Sequence, residues 1–277
     1  MKKLIAEALV VILIVLVFSV IYCAGTTNFH MTTEPMASIE PTTEFTNSFT
    51  EPAIDEPIIF PGVQYRTIYK YEEAKLFLKE LNQSTLVLKQ EIESCKYTDS
   101  AAKTMEEEVA RIDSIIIAVE NDIATFAKWK EEYYYSAEVF LTLRENGYSA
   151  EVACAIIGNM MAECGKDPAL SLNPFAYNYQ ENGGGLCGWM YYYYPEAEGA
   201  TFEQQCEILL KTIEYQFNAC GHYYRSGFTY EDFLSMTSPE EAARVFAIVY
   251  EKCKPFSYNK RMLFAREAYE YFVTNSN

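Results

Sequence analysis

Apolar and polar positions alternate in four different ways along this chain. From Ala8 to Ala24 the positions are almost continuously apolar and uncharged, and Lys2 and Lys3 precede them. A run of roughly 17 such residues lies between a signal-peptide core and a minimal spanning helix. Residues 1–25 are therefore expected to form an anchor with its lysines on the cytoplasmic side, or else a cleaved signal. Residues 26–65 are rich in Thr, Glu, Pro and Ser, with few aliphatic side chains before Ile58 and Ile59. They bury too little apolar surface to offset the entropy of ordering, so a disordered stalk is expected. In either case the remainder of the chain is exported.

Residues 66–132 switch to heptad spacing. Ala74, Leu78, Leu81, Thr85, Leu88, Ile92 and Cys95 alternate steps of four and three, and after Lys96–Ser100 so do Met105, Val109, Ile112, Ile116, Val119, Ile123 and Phe126. Two such helices joined by a short polar turn predict an antiparallel helical hairpin, a coiled coil serving as spacer or self-association element. Packing of both helices on the following domain is the plainer alternative.

Residues 135–277 read as a separate, mostly helical domain. Helices are predicted over 137–146, from Ser149 to Gly165, and over 202–217, 229–236, 238–252 and 259–271. Between Leu170 and Gly185 the helical spacing lapses, and Asn, Pro and three consecutive glycines predict a loop or small β-hairpin. The expected class is mainly α, an α+β domain preceded by the helical hairpin.

The second helix of that domain carries the candidate chemistry. Gly147 closes what precedes it, Ser149 is a natural N-cap, and Glu151 suits the positive end. Val152, Ile156, Met160 and Met161 make one apolar face, and Gly165 supplies the stop. Glu163 then sits in the last turn at the edge of the buried face. Apolar neighbours and the negative helix end both raise a carboxyl's pKa, which is what protonating a leaving oxygen requires. A solvated helix-end glutamate is the bland reading of the same spacing.

Further residues join Glu163. Ile157-Gly158-Asn159-Met160-Met161-Ala162-Glu163-Cys164 is followed by Asn173-Pro174-Phe175-Ala176 and then by Gly185-Leu186-Cys187-Gly188-Trp189. This succession resembles the phage tail lysozyme domain of the lysozyme-like, peptidoglycan-cleaving families, whose helix reads I-x-G-N-x-x-x-E-S. Gly188 stands where that family usually has Gln, and Cys164 where it has Ser. Downstream, Ser238–Phe246, Tyr250-Glu251-Lys252, Arg261 and Ala265 resemble the family's closing helices.

The resemblance implies a lysozyme-like fold and cleavage of the β-1,4 glycosidic bonds of peptidoglycan, with Glu163 as general acid. Asp167 and Glu181 are the candidates for a second carboxylate. A lytic transglycosylase manages with one glutamate and lets the sugar's own hydroxyl attack, so both reaction types stay open. Asn159, Asn173, Tyr177, Gly185, Trp189, Tyr191 and Tyr192 are the candidate substrate contacts, and Tyr191–Tyr194 could stack on sugar rings or merely cover the core. A rival from another class is a tethered wall-binding scaffold whose lysozyme-like head has lost activity. The setting expected is wall remodelling or penetration by a phage, a mobile element or a Gram-positive cell.

Composition narrows the partners. A net charge of −17 argues against nucleic acid and would repel anionic wall polymers. Six cysteines fall in the domain: Cys154, Cys164, Cys187, Cys206, Cys220 and Cys253. In an exported domain they allow three disulfides, or buried free thiols if the source is anaerobic. With no C-x-x-C pair, and with His30 and His222 far apart in sequence, neither a metal nor a cofactor is implied.

Overall fold

A computed structural model describes residues 54, 56–60, 63–94, 96–166, 170–220 and 227–275. The expected anchor, and the stalk as far as residue 53, lie outside the described residues. No described helix is long and apolar enough to cross a membrane.

The heptad series folds as the pattern predicts. Helix α1 spans Tyr71–Glu93 and α2 spans Asp99–Glu145, with the Thr98 hydroxyl accepting from the Ala101 N–H at 3.3 Å to cap α2. Leu81 and Leu88 of α1 meet Met105, Ile112, Val119 and also Ile115 of α2, in a core of their own. The last residues assigned to the stalk join this layer. Ile58, Phe60 and Val63 pack on it, the Phe60 N–H donates to Glu108 Oε1 at 3.0 Å, and Arg111 donates to the carbonyls of Phe60 and Val63. Packing against the hairpin thus includes residues that composition alone assigns to the stalk, because a few apolar side chains suffice when a groove between two helices receives them. Ile112 is fully buried. Ile112→Asp is therefore expected to cost about 3 kcal/mol. Thermal unfolding followed by circular dichroism should then show the hairpin melting before the head.

The expected break near residues 132–135 is instead a kink. Tyr133 leaves helical geometry (φ −142, ψ 66) inside one long helix, so the separate helix predicted over 137–146 is the end of α2. Phe126 and Trp129, ahead of the kink, already belong to the core of the head. Trp129 meets Phe140 and Phe272 edge-on, at 5.5 and 5.2 Å between ring centroids. Heptad spacing shows which face is apolar, not whether its partner is the other arm of the hairpin or the next domain.

At the centre of the head is α3, Ala150–Cys164, capped by Ser149, whose hydroxyl accepts from Val152 N–H at 3.2 Å. Its last residues lead into two small antiparallel sheets. Strand β1 (Gly165–Lys166) pairs with β2 (Ser171–Leu172), and β3 (Tyr177–Asn178), β4 (Gly183–Gly184) and β5 (Trp189–Met190) form the other. Gly165 ends the helix in an extended conformation (φ −67, ψ 150), not a left-handed cap; a Cβ there would lie 2.3 Å from the Met161 carbonyl oxygen. The remaining helices are α4 (Phe202–Cys220), α5 (Tyr230–Leu234), α6 (Pro239–Val249) and α7 (Tyr258–Tyr269). Helices α6 and α7 enclose α3, and the approach of α7 is closest at Gly158, where a Cβ would fall 2.5 Å from Ala265 N and 2.8 Å from Arg261 O. The architecture is mainly helical with small strand hairpins, as expected for a lysozyme-like fold.

Candidate functional site

The G-N-x-x-x-E spacing along α3 becomes three contacts with α7. Gly158 admits the α7 backbone. One residue on, Asn159 is fully buried and donates to the carbonyls of Ala155 and Ala243 at 2.9 and 3.0 Å, while its own carbonyl oxygens accept from Arg261 Nη1. One turn later, Glu163 Oε1 accepts from Arg261 Nη2 in an ion pair. Arg261 is only 5% exposed, and Glu163 keeps 29% of its side chain open. The apolar surroundings expected for Glu163 are thus corrected: an arginine from α7, nearly 100 residues away in sequence, partners the carboxylate. Asn159 is corrected as well, since it orients Arg261 from inside the core and cannot reach a substrate.

Glu163 opens into a groove of about 990 Å³. Gly188 forms the floor beneath it in a left-handed conformation (φ +58), and a Cβ there would sit 2.8 Å from Glu163 Oε2. The glycine that departs from the family pattern therefore leaves room for the carboxylate. Gly188→Ala should strain the turn and push Glu163 aside, lowering the rate of wall digestion about tenfold with little change in folding; turbidity loss of purified peptidoglycan measures it.

A second carboxyl belongs to the same groove. Glu251 follows α6 and precedes Lys252, which is held at φ +55. Its Oε1 is buried without a hydrogen-bond partner, as is Nε of Arg261. Burial pushes the Glu251 carboxyl up to about 8; the Glu163 charge acts the same way, and Arg261, the Cys187 thiol and Lys252 oppose it. Spacing along the chain gave no sign of this role, because Glu251 lies 88 positions beyond Glu163. The one sign was the Tyr250-Glu251-Lys252 likeness.

Other predicted residues divide cleanly. Glu181 lines the groove from the β3–β4 turn, where Asn178 donates to it at 3.2 Å, and Trp189 lines it with its indole N–H donated to Tyr250 Oη at 3.1 Å. Of the tyrosine run, Tyr193 and Tyr194 line the groove and Tyr191 and Tyr192 do not. Tyr192 stands 86% exposed and Tyr191 faces Tyr177 across the sheet. Tyr177 donates to Asn182 Oδ1 at 2.7 Å, so it braces the hairpin. Asn173 holds the turn between the sheets, its N–H donating to Cys164 O and its carbonyl accepting from Ala176 N–H, each at 3.0 Å. Gly185 (φ +79) is buried against Gln205, which accepts from Leu186 N–H and donates to Pro174 O. Tyr177, Asn173 and Gly185 do not line the groove; they hold the hairpin and turns next to the residues that do. Asp167 and His222 lie outside the described residues. Tyr215, Gln216 and Thr212 of α4 complete the far wall.

The disulfide expectation is corrected. Cys154, Cys164, Cys187, Cys206 and Cys253 are all free thiols, so three bridges cannot form among the domain's six cysteines. Burial pushes Cys164 and Cys206 up to about 12 and Cys253 up to about 11, which keeps them protonated and unreactive as nucleophiles near neutral pH. Cys164 Sγ donates to Leu186 O at 3.5 Å and ties α3 to the floor of the groove.

A family model described as phage tail lysozyme matches residues 134–272, which begin at the kink in α2 and end beyond α7. No curated protein and no solved structure matches the chain.

Proposed function

Because this chain belongs to the phage tail lysozyme family, whose lysozyme-like domain points to peptidoglycan as substrate, we propose that it cleaves the β-1,4 glycosidic bonds of the wall with Glu163 as general acid. The observation that carries this reading is the placing of the Glu163 carboxyl. Arg261 holds one oxygen, and the other lies beside Gly188 where Glu163 lines the open groove. Tyr193 and Tyr215, both exposed along the groove, offer ring faces on which pyranose rings can stack. A bound glycan lays its bridging oxygen against Glu163, which donates a proton as the C1–O bond breaks.

Two fates are open to the positive sugar that results. Water, drawn from the side of Glu181, would give a muramidase; attack by the sugar's own hydroxyl would give a lytic transglycosylase and an anhydro product. Mass spectrometry of the released fragments separates them. The test of the assignment is digestion of purified peptidoglycan by the wild type and by Glu163→Gln. Clearing by neither would favour a non-catalytic wall-binding head, and equal clearing by both would remove Glu163 as the acid.

Residues 1–25 are read as holding the protein at the membrane with this head outside the cytoplasm, the helical hairpin acting as its spacer. Self-association through that hairpin is part of the same reading. An acidic surface suits a tether, since anionic wall polymers would otherwise keep the head at a distance.

A further inference from the structure

Arg261 is paired with Glu163, and its charge also acts on Glu251, which lines the same groove; it can neutralise only one of the two carboxyls. If Glu163 and Glu251 were both ionised, the three groups would carry a net negative charge where Arg261 is almost wholly buried and Glu251 Oε1 has no partner. One proton shared by the pair brings the set to neutrality. The groups facing Glu251 are Glu163 and the Cys164 thiol from α3, Arg261 from α7, the Cys187 thiol from the floor, and Tyr250, Lys252 and Cys253 beside it. None of these supplies a second full positive charge from within the fold, because Lys252 is exposed.

We propose that Glu251 is a positioning residue that keeps one proton beneath the groove and returns it to Glu163 when a glycan covers the site. The proposal rests on the reading of Glu163 as the acid. In the free groove Glu251 holds the proton, while Glu163 is the carboxylate paired with Arg261. A sugar chain strips water from Glu163 and makes its charge more costly. Arg261 Nε, buried without an acceptor, and Glu251 Oε1, buried without a donor, allow the guanidinium to shift its pairing toward Glu251. The Glu251 O–H bond then breaks and a Glu163 O–H bond forms, so Glu251 becomes the carboxylate and net charge is conserved. Glu163 next gives that proton to the glycosidic oxygen, whose C1–O bond breaks with both electrons left on oxygen. The water or sugar hydroxyl that captures C1 returns its proton to Glu163, and the pair resets.

The experiment compares full-length wild type, Glu251→Gln, Glu251→Asp and Glu163→Gln on purified peptidoglycan from pH 5 to pH 10, with melting temperatures alongside. Wild-type kcat should fall as pH rises through about 8, where Glu251 loses its proton. Glu251→Gln should lower kcat about 100-fold at pH 7 with KM within about twofold, and should flatten that alkaline limb. Glu251→Asp, which can still carry a proton, should recover part of the rate. A buried carboxyl whose folded pKa is raised opposes folding once pH exceeds its unfolded value, so wild type weakens between about 4 and 8. The neutral Gln variant should therefore melt above wild type at pH 9, with the gap closing toward pH 5. A Glu251→Gln enzyme with wild-type kcat and an unchanged alkaline limb, beside a dead Glu163→Gln, would overturn the proposal alone. Loss of activity in both Glu251 variants with lowered melting at every pH would also overturn it, as a structural role. A fully active Glu163→Gln would overturn both readings.

Discussion

Glu163→Gln lowers kcat on purified peptidoglycan about 1000-fold, leaves KM within about threefold, and leaves the fold intact. Removing a positioned general acid usually costs a factor of about 10²–10⁴, and 1000-fold corresponds to about 4 kcal/mol of barrier. Glutamine keeps the length and planarity of the side chain, and its carbonyl oxygen can still accept from Arg261 Nη2, so the groove keeps its shape. What disappears is the exchangeable proton. The expected pattern is a loss in kcat without a matching change in KM, because the interaction lost is one made with the transition state. Steady-state turbidimetry and a thermal melt on the same preparation check it. A variant that clears the wall as fast as wild type would remove Glu163 from the chemistry.

Gly158→Leu is expected to destabilise the head by upwards of about 4 kcal/mol and to lower its melting temperature by about 15 °C. The cause is backbone meeting backbone. A Cβ at 158 would lie 2.5 Å from Ala265 N and 2.7 Å from its Cα, and no rotamer of either helix can relieve that. Ala265 and Ala268 line α7 with small, fully buried side chains for the same reason: the two helices pack almost in backbone contact. Forcing them apart also withdraws Arg261 from Asn159 and Glu163, so activity should fall further than stability alone requires. Differential scanning calorimetry of the full chain measures the first effect. A Gly158→Leu head melting within about 2 °C of wild type would mean that the α3–α7 approach is looser than described.

Much of this arrangement is written locally. The heptads of residues 74–126 declare two helices by spacing alone, since an apolar stripe must be covered whatever covers it. Ser149, Glu151 and the run from Val152 to Met161 declare α3, because capping and periodicity act within a few residues of each other. The Gly-rich segment before Trp189 announces a turn-rich sheet, and the pairing of Gly183 and Gly184 with Met190 and Trp189 fulfils it. Glu163 is legible for the same reason: its place in the last turn follows from counting.

Its electrostatic setting could not be counted. Arg261 and Glu251 reach Glu163 only because α6 and α7 fold back across α3, and charge interactions depend on distance in space, not on separation along the chain. That is why Asn159 looked like a sugar ligand and is instead a buried brace for Arg261, and why Gly188 looked like a missing side chain and is the space the Glu163 carboxylate occupies. The cysteines stayed unpaired by the same logic, since an even count says nothing of where each thiol ends up. Local patterning decided the helices, the turn and the acid. Only the tertiary fold decided which charge faces that acid, because only there do residues 163, 251 and 261 become neighbours.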